Sequence, residues 1–381
     1  MMYLDHCATT AVYPEVQKVM MEAMETSYAN PSSLHRQGMQ MEKRLKEARE
    51  QMGRILGLPA KGITFTSGAT EGNNTVIRGL VERDKGRHKK IIASPLEHAS
   101  ISQCLQWAKD SDYEIALVEV EPSGVISLDS LNALLDEETL LVCLTLVQSE
   151  IGTVQPLEDI ERIVHGVSPS IHLHVDAVQA VGKMDLPSWR GVDSLVLSGH
   201  KFHGPKGTGV LYLRDGVRVN PLIYGGGQEG GFRSGTENVP GILGMAKALE
   251  LVEERRTQRG EELERAREIL LSRLYAADLG MRVNGEGTVP SILSVSFPST
   301  RGEVLLHMLE DKDIYVSTAS ACSSHKKTKK NPVLAALGVP ETLAEGTLRL
   351  CLGEEFSVEE AEVLAKELID VVKDVQEIIG R

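Results

Sequence analysis

The sequence predicts an α/β protein, in which a large domain with a mainly parallel sheet covered by helices is joined to a smaller α+β domain. Three observations carry that reading. Short apolar runs bounded by turn residues alternate with helical patterns through the first 250 residues, as in a sheet covered on both faces. After about residue 250 the texture changes to a long, highly charged helical stretch and a strand of alternating polarity. A hydrophobic content of 41% in 381 residues supplies enough apolar side chain for a sizeable core.

The elements follow in order. Val16, Val19, Met20, Ala23 and Met24 recur at helical spacing behind Pro14, a residue suited to a first turn. Leu45, Ala48, Met52, Ile55 and Leu56 repeat the spacing, and Gly57 ends the run. Residues 63–65, 91–93, 141–147, 172–175 and 195–197 are expected as buried parallel strands. Residues 251–274 read as the charged helix and residues 292–297 as a strand with alternating exposure. Ser357-Val358-Glu359-Glu360 is a capping box before a helix whose apolar face carries Ala361, Leu364, Leu368, Val371, Val372 and Val375. The expected division is 12–250 for the large domain, with 1–11 and 251–381 forming the small one.

A formal net charge of -13 argues against direct nucleic-acid binding and against an anionic membrane surface. Met1-Met2-Tyr3-Leu4-Asp5 has no basic start and no apolar core, so it does not read as a signal peptide. The apolar run at residues 140–147 is far too short to span a bilayer, and a cytoplasmic location is expected. The five cysteines, Cys7, Cys104, Cys143, Cys322 and Cys351, are odd in number and lack metal-ligand spacing. Reduced thiols and no resident metal are expected. Cys104, Cys143 and Cys351 lie among apolar residues and read as small buried hydrophobes.

Three segments carry chemistry. Thr66-Ser67-Gly68-Ala69-Thr70-Glu71-Gly72 follows a strand and opens a helix. Free N–H groups and the helix dipole make such a turn an anion site, although it serves equally well as a plain helix cap. Asp176, in His174-Val175-Asp176-Ala177-Val178-Gln179, ends a strand where ligands bind in open α/β sheets, a position that an N-cap aspartate also occupies. Lys201, in Ser198-Gly199-His200-Lys201, is boxed in by small and polar residues just past another strand, whereas Lys206 reads as a surface lysine. A phosphate cradle, an acid for a pyridine nitrogen and a lysine for covalent attachment are together what pyridoxal 5'-phosphate requires.

With these motifs, and with Tyr3-Leu4-Asp5, Ala8-Thr9-Thr10, Ser320-Ala321-Cys322-Ser323-Ser324 and Leu348-Arg349-Leu350, the chain resembles the cysteine desulfurase family over nearly its whole length. That family lies within the class V, fold-type-I aminotransferase group. The resemblance implies conversion of L-cysteine to L-alanine, with the sulfur held as a persulfide on Cys322. It implies that Lys201 binds the cofactor and moves the substrate proton, and that Asp176 pairs with the ring nitrogen. It places His98 against the ring, Gln179 and Ser149 at the phenolic oxygen, and Ala69, Thr70, Ser198 and His200 at the phosphate. Thr236 would reach the phosphate of a neighbouring subunit, which implies a homodimer. Arg349, helped by Asn30, would take the substrate carboxylate.

One segment departs from the family pattern. Gln148-Ser149 stands where the family usually has two asparagines, and the shorter Ser149 puts the contact to the phenolic oxygen in doubt. Residues 317–330, rich in Ser, Ala and Lys, resemble the long-loop desulfurases, and a movable loop suits sulfur delivery. The lysines around Cys322 favour its thiolate. The implied partners are a sulfur-acceptor protein, either an iron–sulfur scaffold or a tRNA-thiolation enzyme, and Cys322 would at most be a transient iron–sulfur ligand. An aminotransferase or selenocysteine lyase on the same fold is the alternative activity. A transaminase has no need of Cys322, and a non-catalytic interaction protein has no need of Lys201, His98, Asp176 and Cys322 together.

Overall fold

The structure, a computed structural model, describes residues 1–26, 28–318 and 331–379. Cys322 and residues 319–330 of the loop expected around it lie outside the described residues, whereas residues 317–318, expected in that loop, form a strand held by pairing with Arg349 and Leu348.

A seven-stranded sheet forms the centre, in the order Ile63–Thr66, Gly209–Leu213, Ser194–Ser198, His172–Asp176, Thr139–Thr145, Lys90–Ala93, Glu114–Leu117. Strands from Ser194–Ser198 to Glu114–Leu117 pair in parallel. Gly209–Leu213 runs antiparallel to both of its neighbours. The expectation that 63–65 is a parallel-paired strand is therefore corrected. Its direction matches the others, but the reversed strand Gly209–Leu213 stands between it and them. That strand, like Glu114–Leu117, escaped the sequence reading.

Helices cover both faces, and the local chemistry that ends them is plain. The helix Pro14–Thr26 opens on its proline. Arg36–Leu56 closes at Gly57, whose φ of 68° is the left-handed conformation that glycine tolerates best. Gly209 is needed for a different reason: a Cβ there would stand 2.6 Å from the Gly68 Cα, so only glycine lets the reversed strand approach the helix-opening turn.

A second, antiparallel sheet runs Ser317–Thr318, Thr347–Cys351, Ile292–Ser296, Arg282–Val283. Ile292–Ser296 was expected to alternate in exposure, but all of it is buried. Leu293 and Val295 pack with Leu305, Leu348 and Leu364. The opposite face is polar, and its hydroxyls are partnered within the fold: Asn284 donates to Ser294 Oγ (3.1 Å) and Ser296 Oγ (2.7 Å), and Ser296 Oγ bonds Thr347 Oγ1 at 2.6 Å. Buried polar atoms keep their place when partnered in this way. The capping box is formed as expected, Ser357 N donating to Glu360 and Glu360 N to Ser357 Oγ.

The charged helix is longer than its charge pattern suggested, running Val239–Ala276 from an Asn238 cap. Its first half packs Ile242, Met245 and Leu249 into the core of the central sheet, and its second half packs Leu263, Ala266, Leu270 and Leu274 into the core of the second sheet. Residue 250 thus falls within one continuous helix. The amino-terminal segment also crosses over: Leu4 belongs to the second core and Cys7 to the first.

Candidate active site

The carboxyl ends of Ile63–Thr66, Lys90–Ala93, Thr139–Thr145, His172–Asp176 and Ser194–Ser198 share one edge of the central sheet, where α/β sheets bind ligands. At the first, the chain turns through Gly68 into the helix Ala69–Asp84. Gly68 has no side chain to cap that helix, so the N–H groups of Ala69 and Thr70 are left to an anion. A Cβ on Gly68 would come 3.7 Å from the Ser198 hydroxyl, which places Ser198 beside the turn.

Asp176 is buried. Its Oδ2 accepts from Asn73 Nδ2 (3.0 Å) and its Oδ1 from Val178 N (3.1 Å). Lys201 Nζ donates to the carbonyls of Cys7 (2.6 Å) and Ala8 (2.9 Å). His200 Nδ1 lies 3.2 Å from Thr9 Oγ1. The amino-terminal segment therefore forms one wall around the lysine. Gln179 donates to Cys7 O (3.0 Å) and accepts from Lys183 Nζ (2.8 Å). His98 caps the helix Ala99–Lys109, with Nδ1 accepting from Ser100 N. Although His98 is exposed, the surrounding chain partly desolvates its ring and lowers its pKa, the charge of Lys201 adding to the shift and that of Asp176 opposing it.

Arg349 projects from Thr347–Cys351, its guanidinium donating to Asp5 at 2.7 Å and, at 3.5 Å, reaching Ser149 O. Its Nε is buried without a hydrogen-bond partner among the described residues. Ser317 pairs in register with Arg349, and Asn331 Nδ2 donates to Glu150 at 2.7 Å. The described chain on either side of residues 319–330 is thus fixed beside Arg349 and Glu150. Gln148, in place of an asparagine, turns its Oε1 onto the N–H groups of Glu150 and Ile151 and braces this corner.

Two predicted residues are not gathered in. Asn30 is exposed, with its Oδ1 on Ser32 N (2.9 Å). Thr236 is exposed on a loop that Arg233 ties to Glu71 at 2.9 Å. Several site neighbours were missed in the sequence. Asn73 had a signal, since it falls on the stripe of Ala69, Val76, Ile77 and Leu80 that this helix buries. Glu97 accepts from Thr145 N and Oγ1, and burial raises its carboxyl to about 7, with Asp176 adding to the rise. Cys7 and Cys351 are close enough for each thiol to act on the other. Burial pushes the Cys7 thiol up, but Cys351, Lys183, Arg349 and Lys201 more than offset it and hold it below the usual thiol range. Cys104 and Cys143 are buried, and burial raises both thiols, as the reading of inert hydrophobes requires.

The buried histidines give the fold a pH signature. His174 is buried completely and its pKa falls to about 3 by desolvation, and His172 is lowered in the same direction. Below the ordinary value of 6.5 the unfolded chain binds protons that these rings refuse, so their contribution to stability is lost as pH falls. Glu97 acts oppositely: its raised value favours the folded state at low pH and loses that advantage as pH rises towards about 7. For His174 the slope is about 1.4 kcal/mol per pH unit below its unfolded value. Urea midpoints measured from neutral pH to pH ~5 should fall less steeply for His174→Gln than for the natural chain. Equal slopes would contradict the burial of a neutral His174.

The phosphate fits the uncapped turn, a pyridine nitrogen fits the buried Asp176 carboxylate, and Lys201 is at hand on the same edge. These features define the class: an α/β fold with a site built for pyridoxal phosphate. The comparisons with known proteins agree. The family described as aminotransferase class-V matches residues 2–364. A cysteine desulfurase IscS of Methanosarcina thermophila is 37% identical over 97% of this chain and 92% of its own length. A cysteine desulfurase of Trichormus azollae is 40% identical over 92% of this chain and 87% of its own. The solved structure of a NifS-like protein superposes with a TM-score of 0.92 at 37% identity, covering 98% of this chain and 99% of that one. The chain belongs to the class-V aminotransferase family and, within it, to the pyridoxal-phosphate-dependent cysteine desulfurases.

Proposed function

We propose that this chain releases sulfur from L-cysteine as L-alanine forms, and carries the sulfur as a persulfide on Cys322 to an acceptor protein. The observation that carries the substrate reading is Arg349: a buried guanidinium whose Nε lacks a partner among the described residues suits a planar carboxylate. Pyridoxal phosphate, once bound, supplies an electron sink for the bonding electrons at the substrate α-carbon. Asp176 keeps the ring nitrogen protonated, and the first-turn N–H groups of Ala69 and Thr70, with Ser198 and His200, hold the phosphate. Gln179 serves the phenolic oxygen, with Ser149 the weaker contributor. Lys201 attaches the cofactor and takes the α-proton at Nζ. The Cys322 thiolate attacks the substrate sulfur: the carbon–sulfur bond breaks, its electrons staying with carbon, and a sulfur–sulfur bond forms; the carbon fragment then gains one proton at the β-carbon, and Lys201 Nζ returns the α-proton, giving alanine.

The same reading extends outward. The large and small domains meet along the Val239–Ala276 helix, and separate cores at its two halves support that division. Thr236, exposed on its loop, suits contact with a second copy, so a homodimer with shared phosphate sites is inferred. Among the described residues no helix is long and apolar enough to cross a membrane; a cytoplasmic location is part of the proposal. No described group of side chains could hold a metal. An iron–sulfur scaffold or a tRNA-thiolation enzyme is the acceptor proposed, with Cys322 as the donor. The test is the product balance from L-cysteine with a thiol reductant. Sulfide and alanine in equal amounts are expected, whereas a keto acid with amino-group transfer would overturn the reading in favour of an aminotransferase.

A further inference from the structure

Asn73 joins the two flanks of the candidate site. Its Nδ2 faces Asp176 Oδ2 at 3.0 Å and Ser100 Oγ at 2.8 Å. Asp176 accepts there, its Oδ2 from Asn73 Nδ2 and its Oδ1 from Val178 N, so the amide nitrogen, and not its oxygen, points to the carboxylate. Asn73 Oδ1 then accepts from His174 Nε2, 2.8 Å away. His174 is neutral, its pKa driven to about 3 by burial, so a proton on Nε2 leaves Nδ1 bare. Ser194 Oγ, at 2.7 Å, donates to that Nδ1 and in turn accepts from His172 Nε2, also 2.7 Å away. Every hydrogen in this arm has one possible place.

The other arm ends on His98. Ser100 Oγ accepts from Asn73, which turns its own hydrogen towards His98 Nδ1 at 2.8 Å. The backbone N–H of Ser100 meets the same Nδ1 at 3.1 Å. A hydroxyl can rotate, but a backbone N–H cannot be turned round. An imidazole nitrogen facing that donor carries no proton.

We propose that Asn73 and Ser100 are positioning residues that hold His98 as the neutral tautomer with its proton on Nε2. His98 then enters the reaction as a proton donor at Nε2, and removal of the substrate α-proton falls to Lys201. The same asparagine fixes the Asp176 carboxylate, so one side chain sets both the acid that faces the ring nitrogen and the proton inventory of the histidine.

This inference rests on His98 belonging to the cofactor site. Its test reads the ring and not the reaction, so it and the desulfurase reading fail separately. Cofactor-loaded protein labelled with 15N-histidine is examined by two-bond proton–nitrogen correlation at neutral pH, with His98→Gln assigning the signal. The expected pattern is a neutral ring protonated at Nε2, with Nδ1 shifted as a hydrogen-bond acceptor. A ring protonated at Nδ1, or a charged ring, would overturn the proposal from the unmutated protein alone. Ser100→Ala and Asn73→Ala should both move Nδ1 towards the position of a nitrogen with fewer donors, and Ser100→Thr should retain the original shift. An Nδ1 resonance that stays put in both alanine variants would remove Asn73 and Ser100 from the role.

Discussion

Lys201→Ala is expected to abolish covalent attachment of pyridoxal phosphate and to lower sulfide release about 100- to 10,000-fold or more, the range for loss of a positioned proton-transfer group, while Lys206→Ala leaves both in place. Lys201 stands just past Ser194–Ser198, with Nζ on the carbonyls of Cys7 and Ala8. Lys206 is exposed. The real competitor is Lys183, whose Nζ lies 2.8 Å from Gln179 Oε1 and 3.4 Å from Lys201 O. Burial lowers the pKa of Lys183, which makes its amine more nucleophilic at neutral pH. Borohydride reduction followed by peptide mapping separates the two. Cofactor fixed to the peptide of Lys201 is the expected result, and cofactor fixed to Lys183 in the natural chain would contradict the assignment.

Cys322→Ser is expected to leave cofactor uptake intact and to lower sulfide and alanine release on the order of 1,000-fold or more, as when a covalent nucleophile is removed. None of the groups proposed to hold the cofactor, Lys201, Asp176 and the turn at Ala69 and Thr70, is touched by this change. Of the described residues that flank 319–330, Ser317 pairs in register with Arg349 and Asn331 donates to Glu150. Cys351→Ser should behave oppositely. Cys351 is completely buried in a strand, so a polar replacement costs stability while the chemistry persists in the protein that remains folded. Sulfide release at the natural rate by Cys322→Ser would remove the proposed nucleophile.

Much of this site was legible because its signals are local. A turn of small residues opening a helix, an acid at a strand end and a lysine just beyond another each fit within a few positions. Gly57 and the capping box at Ser357 and Glu360 are equally local, and the structure places both as read. What escaped depends on partners far apart in the chain. Nothing near residue 209 announces that its strand runs backwards between Ile63–Thr66 and Ser194–Ser198. Asn73 meets Asp176 and His174 only after the helix packs on the sheet, although a polar residue on a buried stripe was a usable sign. The strand Ile292–Ser296 misled for a related reason. Its alternation of polar and apolar residues is real, but Asn284 and Thr347 partner its hydroxyls where solvent was expected. Cys7 was passed over because its neighbours in sequence, unlike Lys183 and Arg349 in space, say nothing about its thiol.

The central claim is that the substrate's sulfur passes to Cys322, and the site contains a second candidate in Cys7, whose thiol is held below its usual range. One measurement decides between them: the cofactor-loaded protein is treated with a single equivalent of L-cysteine, trapped with an alkylating reagent and mapped by mass spectrometry. The account predicts one extra sulfur on the peptide carrying Cys322, and none on that carrying Cys7, with alanine formed in equal amount. Extra sulfur confined to Cys7, or alanine formed with no sulfur retained on Cys322, would contradict it.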